Sequence, residues 1–455
     1  MRRTMKLDQI LAIAVAFGAV LVAPARAQDA ADPVYKGPLS KPASNLAAKG
    51  IDLHADVYNF FNSNPSFGLD LGHTGNSAYW VTGVDMDLEK MLGWKGTKVH
   101  FKETFFNLVE NNDYIAGQFG DSAIGYQTTY IQRDSQLTQL TLEQSLFNGK
   151  VNVEFGRTHP FFYFTPMTCE TFNTCYQDTL YYNAGYISPL FSVWGGRVKV
   201  DLTPDSYFQV GMFSNDSGWH FHTGWDWGRP IPDGVLTLAE YGFNTAYGPG
   251  GAYTGKYALT GYYNSGDHLN NNTTTSGRAR GLFPDDPART ESGTGGIVFN
   301  STQIVWREDG GSATHTSPRT LSFYTGAGYS FDSTVPVETD LYAGFNLHAP
   351  LKSRPNDKLG FKLRYEAMND SYNEFLSQAN ATAGGSGAPF DDKVIVELNA
   401  HIDLFNGMIL EPVAQYIVNP NSYYNPYTAD RPEDGMYLGG TLKIPLGKYA
   451  GISPQ

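Results

Sequence analysis

Charged residues occupy every second position in several stretches of the chain. Lys362, Arg364 and Glu366, for example, alternate with apolar neighbours. Because successive side chains of a β-strand point to opposite faces, each such stretch has one polar and one apolar face. A polar face of this kind places donors beside carboxylate acceptors, which suits contact with a polar solute or ion pairing across a sheet. The residues with this placement are Glu143, Glu154, Arg197, Lys199, Lys362, Arg364, Glu366, Glu397, His401 and Asp403.

Catalytic and metal-binding patterns are weak in this sequence. It contains no Gly-x-Ser-x-Gly turn, and its histidines are scattered, which argues against a hydrolase. His220 and His222 precede Asp226 in a Trp-rich stretch, but two histidines at that spacing are a poor indication of a metal site. We therefore predict that the protein is not an enzyme and needs no cofactor or metal.

The first 27 residues have the features of a secretory signal peptide. Arg2, Arg3 and Lys6 precede the apolar run Ile10–Val22, and Ala25-Arg26-Ala27 is a small-x-small cleavage site. Two arginines also occur in twin-arginine signals, although they are ordinary in this position. The sequence predicts export, with cleavage before Gln28.

Composition excludes two classes of protein. The 455 residues have a mean hydropathy of −0.33, and after the signal peptide no run approaches the roughly 20 apolar residues of a spanning helix. The formal net charge of −13 and the lack of a basic run argue against nucleic-acid binding, which needs clustered Lys and Arg. Aromatic residues make up 14% of the chain, as strands that face lipid on one side would require.

The alternating stretches read as β-strands joined by tight turns. Lys150–Arg157 and Arg197–Leu202 alternate apolar and polar residues, and they adjoin Asn148-Gly149 and Pro204-Asp205, which favour turns. A soluble sheet would bury the apolar face in a core, whereas a membrane barrel turns it to lipid and the polar face to a lumen. We count sixteen such segments between Ile51 and Leu446.

Connection lengths decide between these two structures. Short and long connections alternate along the chain, as in outer-membrane barrels with short periplasmic turns and long extracellular loops; Asp332–Pro336 and Glu308–Thr320 depart from the trend. The prediction is an all-β, sixteen-stranded antiparallel transmembrane β-barrel over residues 50–447, with a periplasmic lead-in at 28–49 and a C-terminal tail at 448–455. The long connections are Phe61–Tyr79, Leu108–Gln136, Thr158–Val193, Ser214–Gly234, Asn264–Gly296, Met368–Asp392 and Asn419–Gly435.

The loop Thr158–Val193 is the candidate for narrowing the pore. Its two cysteines, Cys169 and Cys175, are predicted to form a disulfide in an oxidising compartment, because a metal site would need more ligands than these and His159. Such a bridge would hold the loop in one shape. Arg133 and Arg157 lie at the outer ends of their strands, beside the loops.

Several motifs, in this order, resemble the carbohydrate-selective porins of the bacterial outer membrane (OprB type). They span most of the mature chain and are Leu46–Ile51, Asp87–Lys90, Gly93–Gly96, Leu142–Lys150, Gly156-Arg157, Trp194–Lys199, Thr203–Asp205 and Glu411–Pro420. The resemblance implies a barrel in the outer membrane that passes glucose-like sugars passively into the periplasm. It also implies contact with lipid, insertion by the barrel-assembly machinery and a possible homo-oligomer. The chain departs from the usual pattern of such barrels in not ending on an aromatic residue.

A sugar-selective lumen needs donors and carboxylates for hydroxyl groups, aromatic rings for stacking, and binding weak enough for release. The first candidates are Arg133, Glu143, Arg157 and Arg197, since they surround the cysteine-containing loop. Each of the inward charged residues could instead pair across the wall and support the barrel. The stacking candidates are Tyr163, Phe164, Tyr181, Tyr182 and Trp219.

Other functions remain open. The alternative is a general or ion-selective porin with no sugar-binding site; a phosphate-type pore would have a lumen dominated by Lys and Arg, whereas here the signs are mixed. No plug-sized domain precedes Ile51, which disfavours an energy-coupled transporter. The long loops leave adhesion as a further candidate.

Overall fold

Sixteen antiparallel strands close into one barrel, which confirms the predicted fold class. The computed structural model describes residues 35–110, 119–122, 135–164, 177–185, 191–215, 223–227, 233–311 and 319–454, without the side chains of 107–110. Each strand pairs with its neighbours in sequence, and β1 pairs with β16. The strands β1 to β16 are Ile51–Ser63, Thr74–Asp87, Thr97–Glu110, Ser135–Leu146, Val151–Thr158, Val193–Thr203, Ser206–Asn215, Gly234–Tyr247, Tyr253–Thr274, Ala288–Arg307, Thr320–Ser330, Val337–His348, Lys358–Met368, Lys393–Phe405, Met408–Val418 and Gly435–Ile444.

Apolar side chains face outwards and charged side chains face inwards. In β13, Leu359 and Leu363 are 50% and 47% exposed, whereas Lys362 and Arg364 are 1% and 2% exposed. This is the reverse of a water-soluble sheet and is the arrangement that a lipid environment stabilises. Of the helices that the structure describes, none has the length and apolar character that a membrane-crossing helix needs.

Short turns lie at one rim of the barrel and most long connections at the other. The turns at 147–149 and 406–407 use residues with positive φ, including Asn148 and Asn406 at 57° and 50°, because Asn and Gly tolerate this conformation. The alternation of short and long connections is broken by the short connection at 331–336 and the longer turn at 308–319, the two places where the sequence predicted a departure.

Two long connections contain regular structure that the sequence pattern did not indicate. β9 continues to Thr274 and β10 begins at Ala288, so much of the predicted loop Asn264–Gly296 is a strand extension. Beyond the lipid both faces of this ribbon meet polar surroundings, so its residues need not alternate. The connection between β13 and β14 contains a helix, Asp370–Thr382, which packs on that ribbon: Thr382 Oγ1 donates to the carbonyl of Gly281 at 2.8 Å.

The two ends of the described chain meet beside β1. The predicted lead-in contains a helix, Ser40–Ala48, and the tail region contains another, Leu446–Ala450. The amide of Leu39 donates to the carbonyl of Ala450 at 2.8 Å. β16 pairs with β1 only over Val57–Ser63, whereas β2 pairs with β1 from Ile51 onwards. The C-terminal residues therefore cover a part of β1 that β16 does not reach.

We expect Ser453→Ala to weaken this cover. Ser453 Oγ donates to the carbonyl of Leu53 at 2.8 Å, and losing that donor should lower the free energy of unfolding by about 1 kcal/mol. Urea unfolding in detergent would measure the loss, with Ser386→Ala, at an exposed loop position, as the control. Equal stability of the two variants would contradict a role for the C-terminal residues in closing the barrel.

Candidate functional site

A network of buried ion pairs covers the inner face of β12, β13 and β14. Lys362 Nζ lies 2.8 Å from Glu397 Oε2, and Arg364 donates to both oxygens of Asp340 at 2.8 and 2.7 Å. Every side chain in these contacts is at most 2% exposed. Carboxylates and cations buried to this extent are stable only when they are paired and hydrogen-bonded. The inward direction predicted for the charged residues of β13 and β14 is thus observed.

Two loop segments fold into the barrel and join this network. They are residues 119–122, from the β3–β4 connection, and residues 177–185, from the β5–β6 connection; we call them the inner segments. Arg364 Nη2 lies 3.0 Å from Asp178, and Lys393 Nζ lies 3.0 Å from Asp121 and 2.8 Å from Glu366. Ion pairs therefore hold the inner segments against β13 and β14.

Neutral hydrogen bonds complete the attachment of the inner segments. Asn183 Nδ2 donates to the carbonyl of Val337 at 2.6 Å, and its Oδ1 accepts from the amide of the same residue at 3.1 Å. Tyr182 donates to the carbonyl of Ser122 at 2.5 Å, which ties one inner segment to the other. Part of Thr158–Val193, the loop predicted to narrow the pore, thus crosses the lumen and contacts β12.

Burial and a neighbouring cation act in opposite directions on the pKa of each of the two loop carboxyl groups. It raises the pKa of Asp178 well above its ordinary value, and the nearby Arg364 guanidinium opposes that rise. Burial likewise raises the pKa of Asp121, while Lys393 acts in the opposite direction. A negative charge on either carboxyl group is therefore stable only beside its cationic partner.

A second set of polar side chains forms a hydrogen-bonded row across the inner face of β1 to β5. His54 is bonded to Asp85 at 2.7 Å, Asp85 to His100 at 2.7 Å, and His100 to Glu143 at 2.8 Å; Asn152 Nδ2 donates to Glu143 at 2.6 Å. We call these five residues the polar row. Its ionisable side chains are 19% to 40% exposed, unlike the buried ion pairs on β13. The polar row is therefore accessible from the lumen.

Arg197 has few partners for its donors. It lies opposite Glu154 in the register of β5 and β6, yet Glu154 accepts instead from Gln139, Thr141 and Tyr163 at 2.7 to 3.1 Å. The Arg197 guanidinium stacks on the Tyr163 ring with its carbon 5.0 Å from the ring centre. Within the part of the chain that the structure describes, its Nε and Nη1 atoms have no hydrogen-bond acceptor.

The remaining inward candidates lie near the turns. Lys199 Nζ is 2.9 Å from Asp201, and His401 is bonded to Glu411 at 2.8 Å. Asp403 accepts from Asn356 at 2.7 Å. These pairs neutralise charge near the rim that carries the short turns, as the simpler wall-pairing interpretation expects.

Arg157 lies on the other face of the wall, which corrects its prediction as a pore-lining residue. It pairs in register with Trp194, which is 45% exposed on the outer surface. Side chains of directly paired residues share a face, and Thr158 and Glu154, on the opposite face, both contact Tyr163. Arg157 itself is buried and donates to the carbonyl of Ser192 at 2.7 Å. Its candidacy rests on its position beside the loops, whereas the two-residue period of β5 places it with the outward Val153 and Phe155.

Four candidates fall outside the described residues: Arg133, Cys169, Cys175 and Trp219. Among the other stacking candidates, Phe164 is fully buried against Phe213 and presents no face to a solute. Tyr163 has Arg197 on its ring and Phe213 stacked beside it. Tyr181 and Tyr182 pack edge to face, and Tyr182 also contacts the Tyr423 ring. These rings mainly pack against protein.

Several residues of the site were not among the sequence candidates. Asp340, Lys393 and the polar-row residues His54, Asp85 and His100 all occupy inward positions of predicted strands, so the alternating pattern could have found them. Asp121 and Asp178 lie in connections, where no periodic signal exists. Only the folded chain brings those two carboxyl groups to the wall.

Comparison with known proteins gives consistent results. The family model for the carbohydrate-selective porin, OprB family, matches residues 74–445. Porin B of Pseudomonas aeruginosa is 26% identical over 431 residues, which cover 90% of this chain and 88% of that protein. The high-pH structure of Pseudomonas putida OprB superposes with a TM-score of 0.74 at 21% identity, covering 88% of this chain and 95% of that one. The low-pH structure of the same protein gives 0.53 at 17% identity, covering 88% and 94%.

We expect Lys362→Met to destabilise the barrel strongly. The substitution leaves the buried Glu397 carboxylate without its cation, which costs about 3–5 kcal/mol in comparable cases. The double variant Lys362→Met/Glu397→Gln should lose less, because no uncompensated charge remains. Denaturant unfolding of both variants measures the difference. A double variant as unstable as the single one would contradict the assignment of the loss to charge.

Proposed function

Because the chain belongs to the carbohydrate-selective porin, OprB family, we propose that it lets glucose-sized neutral sugars diffuse passively through its lumen into the periplasm. The protein is an outer-membrane porin: its apolar outer faces contact lipid, and its family and fold are those of a channel rather than an enzyme. We further propose the size of the sugar and the residues that contact it.

We place the solute path along β1 to β6. The buried ion pairs attach the inner segments to β13 and β14. The half-exposed polar groups lie on the opposite side, in the polar row and at Arg197 and Lys199. A solute that crosses the barrel along this path meets the polar row and these two cations rather than the buried network.

The observation that carries this proposal is the Arg197 guanidinium. Its planar guanidinium is held over Tyr163 and the residue is only partly buried, while Nε and Nη1 are enclosed by protein and have no acceptor in the described part of the chain. A hydroxyl group that enters beside the ring would satisfy these two donors without breaking a protein contact. Arginine stacked in this way loses little side-chain freedom on binding. Glu143 and Asp85 then offer carboxylate acceptors to the same solute.

Neighbouring charges of opposite sign favour a neutral solute. Along the polar row each histidine is bonded to a carboxylate, so the row has no large field of one sign that would draw in one kind of ion. Sugar hydroxyl groups can exchange hydrogen bonds with such a row. Contacts of this kind remain weak enough for release, as passage through a channel requires.

We assign a supporting role to Lys362, Arg364, Glu366 and Glu397. Their side chains are at most 2% exposed and form ion pairs with the wall and the inner segments. They set the shape of the lumen and hold the inner segments in place. They do not contact the sugar in this proposal.

Assembly and association are proposed on family grounds. Insertion by the barrel-assembly machinery is expected for an outer-membrane barrel. The outer faces of the strands carry many exposed apolar side chains, which either lipid or a second copy of the chain can cover. Chemical cross-linking in native membranes would distinguish the two states.

We expect Arg197→Ala to weaken block of the channel by glucose. Losing hydrogen bonds from a charged donor costs about 1.5–3 kcal/mol, so the half-blocking glucose concentration should rise about tenfold or more. Arg197→Lys should give an intermediate result, because a lysine lacks the planar fork. Single-channel conductance in planar bilayers, titrated with glucose and then with phosphate, measures both.

The control is Arg278→Ala, which removes an arginine that pairs with Asp286 at 2.9 Å in the connection between β9 and β10. It should leave glucose block unchanged. A wild-type conductance indifferent to glucose would support the alternative, a general or ion-selective porin. Block by phosphate in preference to glucose would indicate an anion-selective pore.

A further inference from the structure

The contact between the inner segments and β13 contains more acids than bases. Two cations, Arg364 and Lys393, face four carboxyl groups, and every one of these side chains is at most 3% exposed. The neighbouring pair Lys362–Glu397 is neutral by itself. Burial of uncompensated carboxylates is costly, and the usual response is uptake of a proton. The four carboxyl groups are those of Asp121, Asp178, Asp340 and Glu366.

The bonding pattern locates that proton. Asp178 Oδ2 faces Arg364 at 3.0 Å, and Glu366 Oε1 faces Lys393 at 2.8 Å and accepts from Ser122 at 2.9 Å. The other oxygens, Asp178 Oδ1 and Glu366 Oε2, are buried and have no donor among the described residues. Arg364 and Glu366 are successive inward positions of β13, so Asp178, which is bonded to Arg364, lies beside Glu366. One proton between them satisfies both free oxygens.

We propose that Asp178 and Glu366 share a single proton, and that this proton-binding site fastens the 177–185 inner segment to β13. Asp178 belongs to the inner segment and Glu366 to the wall, so the shared proton is a bond between a loop and the barrel. The proposal goes beyond sugar passage, because it concerns the width of the lumen and its dependence on pH.

The direction of the pH effect follows from burial. Burial raises the pKa of Asp178, so attachment is favoured while the pH stays below the raised value and is weakened as the pH rises through it. Loss of the proton leaves two adjacent carboxylates that repel each other. The inner segment should then leave the wall and widen the lumen.

We do not assign this pH response to the other ionisable groups around the pair. Arg364 and Lys393 stay charged and engaged with Asp340 and Asp121. From the loops, the phenols of Tyr182, Tyr423 and Tyr424 face the same region, and burial raises the pKa of Tyr182 well above its ordinary value. Burial also raises the pKa of Asp121, but that carboxyl group lies 3.0 Å from Lys393, whose charge opposes the rise, so we assign the pH response to the carboxyl pair.

The test is the ionic conductance of single channels between mildly acidic and mildly alkaline pH, without sugar. Wild-type conductance should rise with pH. Asp178→Asn should abolish the rise and keep the low-pH conductance, because an amide can donate to Glu366 and still accept from Arg364. Asp391→Asn is the matched control: this exposed carboxyl lies two positions before Lys393, and its loss should leave the wild-type response intact.

A second readout is the infrared band of a protonated carboxyl group at neutral pH. It should be present in the wild type and absent from both Asp178→Asn and Glu366→Gln, and the latter supplies the test if the former does not fold. A pH-independent wild-type conductance, or a pH response that survives in Asp178→Asn, would overturn the proposal. Neither measurement needs a sugar, so failure here is distinct from failure of sugar selectivity.

Discussion

Charge neutralisation inside the barrel is the constraint on which the rest of this structure depends. Lipid requires apolar outer faces, so the polar half of every alternating strand must turn inwards. Once inside, a carboxylate or an ammonium group is stable only with a partner or with water. The lumen is therefore organised by which charges are paired with protein and which are left to water and solute.

The two sides of the lumen solve this problem differently. On β12 to β14, pairs such as Lys362–Glu397 and Arg364–Asp340 are fully buried, and the inner segments complete them with Asp121 and Asp178. On β1 to β5, the polar row is half-exposed and keeps contact with the lumen. The first side holds the inner segments in place, and the second is the side that we propose contacts the solute.

The attachment of the inner segments also explains why the wall carries so many buried charges. Replacement of a buried ion pair by apolar residues is often neutral or stabilising, so such pairs are weak evidence for stability alone. Here the pairs join a loop to a strand: Asp178 meets Arg364, and Asp121 meets Lys393. Directional bonds of this kind hold a segment in one position across a wide barrel, where apolar packing from one side would leave it free to slide.

The sequence by itself determined the wall. Its two-residue period set which side chains of β13 and β14 point inwards, its Asn-Gly turns set the tight connections, and its connection lengths set the orientation of the barrel. It did not determine the strand extensions of β9 and β10, where both faces are polar. Nor did it indicate the helix Asp370–Thr382.

The tertiary structure alone decided which inward charges are buried and which are open, because Asp121 and Asp178 reach Lys393 and Arg364 across more than 180 residues of chain. A local pattern carries the direction of a side chain, but a contact between a loop and a distant strand depends on closure of the whole barrel.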